Sequence, residues 1–337
     1  MMFLHALGVP LSWKKTALST TNIWLGFQVN ATNTKAQLTP TKHQEVTAIL
    51  TTLRRTHNPL NYTRKQIEKI AGKLQWSTHV CPTTRPFLQP IYAWLNATKT
   101  AGRASKQIKQ LATTILHIIN TPPTSLQPML GPITIHGATD AGANQTTATI
   151  GGWYTNATHP QQHNVHWFST HITQADHPWA YEHDNPQRRI SAIELYATLL
   201  LVKTIAKQSD TNHTGIITTL RTDNLGNTYN IMNYKANTWP NSALMMEIAL
   251  TQHYHHCKPT IQHIHRDLNT WADQLTHSNY EGFNPTLRFT PDQHNWHILP
   301  QLLHKCGQET APTDAPTTPT TTGPSDGLPQ ALTSTGP

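Results

Sequence analysis

Four carboxylates in the second half of the chain stand where they could share a metal ion. Asp140 closes an apolar run, ITIHGATD, and Asp223 closes a second one, GIITTLRTD. Glu194 lies early in the helical pattern ISAIELYATLLLV, and Asp273 lies near the start of another, NTWADQLT. Strand ends that alternate with helix starts can bring separate side chains to one edge of a sheet. We therefore expect these four carboxylates to converge.

Converging carboxylates indicate a particular chemistry. Buried negative charges repel one another unless cations neutralise them, and hard oxygen ligands suit Mg²⁺ or Mn²⁺. Two such ions about 3.5–4 Å apart suit in-line attack on a phosphodiester. The sequence therefore predicts a nuclease in which Asp140, Glu194, Asp223 and Asp273 are catalytic and bind two Mg²⁺ or Mn²⁺ ions.

Composition agrees with a polyanionic partner. The formal net charge is +8 and the sequence pI is about 9.4, although only 12% of the residues are charged. Nucleic acid fits such a balance. The most apolar run, residues 195–206, is interrupted by Lys203 and is shorter than the roughly 20 residues that span a bilayer. A membrane partner is therefore not expected.

The three cysteines are far apart and form no C-x-x-C pattern. Free thiols are typical of a reducing compartment, so we expect an intracellular protein, cytoplasmic or nuclear. His253 and Cys257 have the i, i+4 spacing of a zinc ligand pair, but no second pair with such spacing follows. Zinc is the weaker alternative.

The pattern of residues divides the chain into four regions. Residues 1–120 hold a β-like piece, NIWLGFQVN, and helical runs, and residues 121–132 form a proline-rich linker. Residues 133–283 alternate strands and helices, and residues 284–337 hold one short helix and a Pro/Thr-rich tail that is predicted to be disordered. In the third region the predicted strands are 133–139, 147–155, 163–170, 215–222 and 260–265, and the predicted helices are 191–208, 225–236, 240–256 and 269–278.

The third region resembles ribonuclease H. TDAG with the later GGWY resembles the first hairpin of that family, ELYA its E-L-x-A helix, and TDN the end of its fourth strand. HIHRDLNTWADQLT resembles the H-I-P-G-x-x-N-x-x-A-D-x-L-S motif of retroelement ribonucleases H, with His265 and Arg266 where those enzymes have Pro-Gly. The resemblance implies an α/β fold with a five-stranded mixed sheet flanked by helices. It also implies hydrolysis of RNA in RNA–DNA hybrids.

The first region resembles the end of a reverse-transcriptase palm followed by a mostly helical thumb and connection. WLGF resembles the primer-grip hairpin, IEKIAGKLQW resembles the thumb helix, and the spacing from Lys14 and Lys15 to Trp24 is similar to that of retroviral enzymes. The whole chain thus resembles the C-terminal part of a retrotransposon reverse transcriptase, and its sequence motifs are most similar to those of DIRS-like elements. NWHILPQLLH resembles a helix that follows ribonuclease H in those elements.

The resemblance also implies which residues contact nucleic acid. Lys14, Lys15, Trp24 and Gly26 are candidates from the first region, although the lysines could be a solvated pair and Trp24 a core aromatic. The list is completed by Asn224 and Asn269, which could contact the sugars of the hybrid or cap helices.

Each carboxylate also has a purely structural interpretation. Asp140 could form an Asx turn, and Asp223 could belong to an N-cap pair. Glu194 with Ser191 matches a capping box, S-x-x-E, and Asp273 could favour the N-terminus of its helix. All four carboxylates occur in the family order, however, and this favours the metal site.

Two rival functions remain open at this level. The chain could be a non-catalytic nucleic-acid-binding remnant of a decayed element, because a fold does not guarantee an activity. It could also be a polynucleotidyl transferase or integrase of the same fold, although such enzymes normally use three carboxylates and lack the E-L-x-A helix.

Polymerase activity is not expected from this chain alone. Palm catalysis needs a carboxylate pair in a Y-x-D-D turn, and no Asp-Asp pair occurs in the sequence. A fingers and palm portion is therefore an expected partner. We expect primer extension on an RNA template with Mg²⁺ and all four nucleotides to be undetectable. Templated incorporation of nucleotides by the purified chain would show that the boundary between the palm and this chain is wrongly placed.

Overall fold

Hydrophobic periodicity separates the chain into a mostly helical first part and a second part built on a sheet. The computed structural model describes residues 19–32, 35–55, 61–120, 124–125, 134–208, 217–255 and 257–303. Lys14 and Lys15 lie outside the described residues, as does the predicted tail. No helix among the described residues is both long and apolar enough to cross a membrane.

The first part combines short strands with four described helices. The strands are β1 (Thr21–Trp24), β2 (Phe27–Asn30), β3 (Lys35–Leu38), β4 (Tyr62–Thr63), β5 (Ala101–Gly102) and β6 (Thr124–Ser125). The helices are α1 (Pro40–Arg54), α2 (Arg64–Ser77), α3 (Gln89–Ala97) and α4 (Lys106–Ile119). β1, β2, β3 and β6 form an antiparallel sheet in that order, so part of the predicted linker pairs with β3.

The helix that resembles a thumb helix is confirmed as an amphipathic helix, α2. Thr63 begins it with a capping box, in which its side chain accepts from the backbone N–H of Gln66 and Gln66 accepts from Thr63. Its predicted apolar positions, Ile67, Ile70, Ala71 and Leu74, are all buried. Burial of this stripe stabilises the helix against its neighbours.

The primer-grip-like sequence forms a tight β-hairpin. Leu25 and Gly26 have φ angles of 49° and 83°, as a two-residue turn between right-twisted strands requires. Gly26 also lacks room for a side chain, since an added Cβ would lie 3.1 Å from the Trp76 ring. Trp24 is 66% exposed, so it is not a core aromatic. Phe27 fills that role by stacking on Trp76, with ring centroids 4.2 Å apart.

The five-stranded mixed sheet implied by the ribonuclease H resemblance is confirmed. Its strands are β7 (Thr134–Ala143), β8 (Ala148–Thr155), β9 (His166–Ile172), β10 (Ile217–Thr222) and β11 (Lys258–His263). The order is β11-β10-β7-β8-β9, with β10 parallel to β7 and β11 and with β8 antiparallel to β7 and β9. The helices are α5 (Ile190–Gln208), α6 (Leu225–Asn233), α7 (Asn241–His255), α8 (Thr270–Thr276) and α9 (Leu299–Leu303).

The sheet buries its two faces in different ways. On one face, α5 is buried around almost its whole circumference, in keeping with its continuous apolar sequence. On the other face, α8 packs Ala272 and Leu275 close to β8. Gly151 makes this approach possible, because an added Cβ there would lie 2.6 Å from the Cβ of Leu275 and 3.0 Å from the carbonyl oxygen of Ala272.

The position predicted for Asp140, at the end of its strand, is wrong. β7 continues to Ala143, and Asp140 lies inside it, opposite Gly151. The strand continues because Asn144 closes a tight turn by accepting the backbone N–H groups of Thr146 and Thr147 with its side-chain oxygen. The antiparallel ladder can therefore run past Asp140 up to this turn.

Side-chain hydrogen bonds join the two parts of the chain. The Arg85 guanidinium donates to the backbone oxygen of Asn233, at the end of α6, and the Gln89 amide donates to that of Asn237. Each bond is 3.1 Å long. The predicted division into domains stays a prediction.

A buried carboxylate anchors the segment that follows α8. Glu247 on α7 is fully buried and accepts the backbone N–H groups of His297, Ile298 and Leu299 at 2.8, 2.9 and 3.0 Å. Nearby, the Lys203 ammonium lies 3.7 Å from the centroid of the Trp296 ring. These contacts attach α9 and the chain before it to the helical face of the sheet.

Glu247→Gln should destabilise the fold. Glutamine has one carbonyl oxygen in place of two carboxylate oxygens, and its amide nitrogen would face backbone donors without accepting from them. Since hydrogen bonds to a charged group contribute about 1.5–3 kcal/mol each, we expect the free energy of unfolding to fall by about 2–4 kcal/mol. Urea denaturation measures this. Glu68→Gln, at an exposed i, i+4 pair with Arg64, is the matched control and should cost under about 0.5 kcal/mol.

Candidate metal centre

Three of the four predicted carboxylates meet beside the C-terminal end of β10, next to β7 in the middle of the five-stranded sheet. Asp140 comes from β7, Glu194 from the start of α5, and Asp223 from the residue after β10. The parallel register pairs Arg221 with Ala138, which places Asp223 beside Asp140. One carboxylate oxygen from each residue lies within 4.8 Å of the other two. The predicted convergence is thus observed for these three.

Burial and mutual repulsion change the acidity of this group. Asp140 is 6% exposed, and burial followed by the negative charge of Asp223 raises its pKa to about 7, against a hydrogen bond from the N–H of Ala141. Burial likewise raises the pKa of Glu194 to about 7, against a hydrogen bond from Asn224. Both carboxyls therefore hold protons near neutral pH unless a cation replaces them.

The donor set fits a hard divalent cation. Ionised carboxylates only accept, and their oxygens are the ligands that Mg²⁺ and Mn²⁺ prefer. Asp223 supplies a further sign, because its Oδ1 is buried and has no hydrogen-bond partner among the described residues. A buried oxygen without a partner is costly, and a bound cation would satisfy it.

Asp273 stands apart from this group. It lies on α8 with a side chain 36% exposed, and its carboxylate oxygens are 3.8 Å from Arg266 and 3.7 Å from His277. Its charge still contributes to the raised pKa of Asp140. A 3-10 turn, Arg266–Leu268, leads into α8 where the resemblance expects Pro-Gly. The structure therefore does not gather all four carboxylates, and Asp273 as a metal ligand stays a prediction.

Asn224 caps a helix, which is one of the two roles considered for it, and it also contacts a candidate metal ligand; its contact with the sugars of a hybrid stays a prediction. Its side-chain oxygen caps α6 by accepting the backbone N–H of Asn227 at 2.8 Å. Its side-chain amide donates to Glu194 Oε2. One residue thus fixes both the helix that follows β10 and the orientation of a candidate ligand.

The capping-box interpretation of Glu194 is wrong. A 3-10 turn, Pro186–Arg189, runs directly into α5 at Ile190, so Ser191 lies inside the helix and not at its N-cap. The Ser191 hydroxyl instead donates to the side-chain oxygen of Asn227 at 3.4 Å. The carboxylate of Glu194 instead lies beside those of Asp140 and Asp223.

Asn269 does not cap its helix with its side chain, contrary to one of the predicted roles. Its backbone is at φ −91° and ψ 27°, not extended, because the preceding 3-10 turn leads straight into α8. The side chain is 2% exposed, and its amide donates to the carbonyl oxygen of Thr139 at 3.2 Å. Asn269 thus braces β7 one residue before Asp140.

Arg266 is the functional candidate that sequence reasoning missed. Its positive charge lowers the pKa of Asp140 and of Glu194, although burial outweighs it. The sequence marked Arg266 only as a departure from the family motif. The signal that could have identified it is a positively charged residue in the segment between β11 and Asp273.

The candidates from the first part lie elsewhere. Trp24 and Gly26 are in the β1–β2 hairpin, and Lys14 and Lys15 are outside the described residues. Within the described ranges, the three carboxylates are the only group of three or more metal-ligating side chains. His253 and Cys257 therefore form no such site, and burial raises the pKa of the Cys257 thiol to about 12.

Comparison with known proteins returned structural similarities only. No family model matches the chain, and no curated protein matches it. The RNase H1 of the halophilic archaeon Halobacterium salinarum NRC-1 is 14% identical, covering 43% of this chain and 96% of its own, with a TM-score of 0.30. LC11-RNase H1 in complex with an RNA/DNA hybrid is 17% identical, covering 44% and 96%, with a TM-score of 0.32.

A longer similarity includes the first part of the chain. The foamy viral protease-reverse transcriptase in complex with an RNA/DNA hybrid is 13% identical and covers 84% of this chain, with a TM-score of 0.31. This chain spans 32% of that protein.

Raised carboxyl pKa values give a pH dependence that can be measured in EDTA. The folded protein keeps protons on Asp140 and Glu194 that the unfolded chain releases above its ordinary pKa values, 3.8 and 4.5. Stability from these groups is present below pH 4 and is lost as the pH rises towards 7. Asp140→Asn should remove part of this loss. At pH 8 its free energy of unfolding should exceed that of the wild type by on the order of 2 kcal/mol.

Thermal unfolding from pH 4 to pH 8 tests this expectation. Asp267→Asn removes a carboxylate whose side chain is 84% exposed and should follow the wild-type curve. If Asp140→Asn also follows that curve, burial and the neighbouring charge do not raise the pKa of Asp140 as described. Adding Mg²⁺ should raise the melting temperature of the wild type and leave that of Asp140→Asn nearly unchanged.

Proposed function

We propose that this chain is a metal-dependent nuclease that hydrolyses the RNA strand of RNA–DNA hybrids. The observation that carries the proposal is the meeting of Asp140, Glu194 and Asp223 within 4.8 Å beside β7 and β10 in a sheet ordered β11-β10-β7-β8-β9. The net charge of +8 and the ribonuclease H-like motifs support nucleic acid as the substrate class.

The residues of the site have distinct roles in this proposal. Asp140, Glu194 and Asp223 would hold Mg²⁺ or Mn²⁺, with two ions if Asp273 joins them. Bound cations would supply a water of lowered pKa and stabilise the charge on the leaving oxygen. Asn224 orients Glu194 through its amide. The guanidinium of Arg266 is 3.8 Å from Asp273 and is exposed, so it can also meet a substrate phosphate.

The wider setting is proposed from the sequence motifs. The chain would be the thumb, connection and ribonuclease H part of a retrotransposon reverse transcriptase, acting inside the cell with a separate fingers and palm portion. Trp24, exposed at the tip of the β1–β2 hairpin, would contact the nucleic acid, with Gly26 shaping the turn. Lys14 and Lys15 would add phosphate contacts.

One observation favours the alternative of a catalytically decayed nucleic-acid-binding remnant. Asp273 lies outside the carboxylate group, and the nearby Arg266 is a cation where the family motif has none. A fixed positive charge weakens the attraction of the site for a metal ion. A remnant of this kind would bind hybrid without cutting it.

A cleavage assay separates the two. The purified chain with Mg²⁺ or Mn²⁺ should cut the RNA strand of a labelled hybrid, leave double-stranded DNA intact and stop in EDTA. Its binding should weaken steeply with added salt, since phosphate contacts release counterions. Hybrid binding without any metal-dependent cleavage would establish the remnant, and equal cleavage of duplex DNA would contradict the proposed substrate.

Glu194→Gln tests the metal centre directly. Glutamine keeps an oxygen that can accept from Asn224 but removes the charge that attracts a dication. We expect hybrid cleavage to fall by about a hundredfold or more, while the melting temperature in EDTA stays the same or rises slightly. Glu281→Gln, at an exposed position, is the control and should cleave normally. Wild-type cleavage by Glu194→Gln would show that the three carboxylates are not the catalytic group.

A further inference from the structure

A second concave site lies on the α8 face of the sheet, away from the α5 face. It is a cavity of about 360 Å³, at the small end of the range for small-molecule sites. Its walls come from β7, β8, β10, the segment between β11 and α8, and the start of α8. The residues used below are Ala138, Trp153, Arg221, Asn269 and Trp271. Of these residues, only Asn269 also supports the metal centre, through its hydrogen bond to Thr139.

The strand register builds the floor of this cavity. Arg221 on β10 pairs with Ala138 on β7, and Ala138 pairs with Trp153 on β8, so the three side chains form one row on the same face. Adjacent strands are about 4.8 Å apart, which separates Arg221 from Trp153 by roughly 9.6 Å. The single methyl group of Ala138 leaves the space between them open.

The two ends of this row differ in chemistry. Trp153 is buried and packs edge-on to Trp271, with centroids 5.0 Å apart and an interplanar angle of 61°. Trp271 is only partly buried and can therefore offer an aromatic surface. At the other end Arg221 is exposed, and among the described residues it forms no ion pair. The cavity thus joins an aromatic wall to an unpaired guanidinium.

Asn269 holds the wall of the cavity in place. It lines the cavity, is 2% exposed, and uses its amide group to donate to the backbone oxygen of Thr139. Its Oδ1 is buried and has no hydrogen-bond partner among the described residues, so it is closed off from a ligand. The groups that the cavity offers a ligand are therefore the Trp271 ring and the Arg221 guanidinium.

We propose that this cavity binds a single nucleotide unit, with the base against Trp271 and the phosphate at Arg221. A nucleobase has a flat π-face that can stack on the indole. Its 5′-phosphate matches the planar, bidentate donors of an arginine. The unit is either a free mononucleotide or the terminal nucleotide of a strand.

Calorimetric titration of the full chain tests this site independently of the metal centre. In EDTA, adenosine or uridine 5′-monophosphate should bind with one-to-one stoichiometry, and the nucleoside or inorganic phosphate alone should bind about tenfold more weakly or worse. A 5′-phosphorylated oligonucleotide distinguishes the sources. Equal binding of the oligonucleotide assigns the site to strand ends, and binding of the mononucleotide alone assigns it to free nucleotides.

Two variants locate the binding in the cavity. Arg221→Gln removes the phosphate contact and should weaken mononucleotide binding by about tenfold or more. Ala138→Val fills the space at the floor of the cavity with a residue that β-strands accommodate. It should weaken mononucleotide binding by a similar factor. Arg54→Gln, which removes an equal charge at the exposed end of α1, should bind as the wild type does.

Two results would overturn the proposal. The site is wrong if millimolar nucleotide gives no binding heat with the wild type. It is also wrong if Arg221→Gln and Ala138→Val, each shown to be folded by circular dichroism, bind as tightly as the wild type. Because the titrations are done without metal, loss of hybrid cleavage through Glu194→Gln leaves the outcome unaffected.

Discussion

Repulsion among three crowded carboxylates, one buried and two half-buried, is the constraint on which the rest of the sheet part depends. Asp140, Glu194 and Asp223 come from three different elements, and the pKa values of Asp140 and Glu194 are raised to about 7, first by burial and then by neighbouring negative charges such as that of Asp223. Groups that repel do not stay together without a scaffold that holds them. The energy for holding them has to come from packing and hydrogen bonds elsewhere, and shifted pKa values of this kind are typical of functional sites.

Hydrogen bonds between the supporting elements provide part of that scaffold. The Thr139 and Thr198 hydroxyls, 2.9 Å apart, join β7 to α5 directly beside the site. The Asn227 amide donates to the backbone oxygen of Ser191 at 2.8 Å and joins α6 to α5. Each bond contributes only about 1 kcal/mol, but together with the buried side of α5 they leave the carboxylates no way to move apart.

Much of this arrangement can be predicted from the sequence, and the elements that were predicted wrongly have physical causes. Alternation of apolar runs places all five strands and the helices α5 to α8 within a few residues of their predicted bounds. The exceptions depend on local turns. The turn at Asn144 carries β7 past Asp140, and the 3-10 turn at Arg266 leads into α8, which carries Asp273. Turns of this kind leave no periodic signal in the chain.

Gly151 ties the geometry of the site to the packing of one helix. Any side chain there meets Leu275 and the backbone of Ala272, so it would push α8 off β8 and carry Asp273 and Asn269 with it. A variant at this position would therefore keep every acidic residue and still lose the arrangement around them. The presence of the carboxylates alone is thus no measure of an intact site.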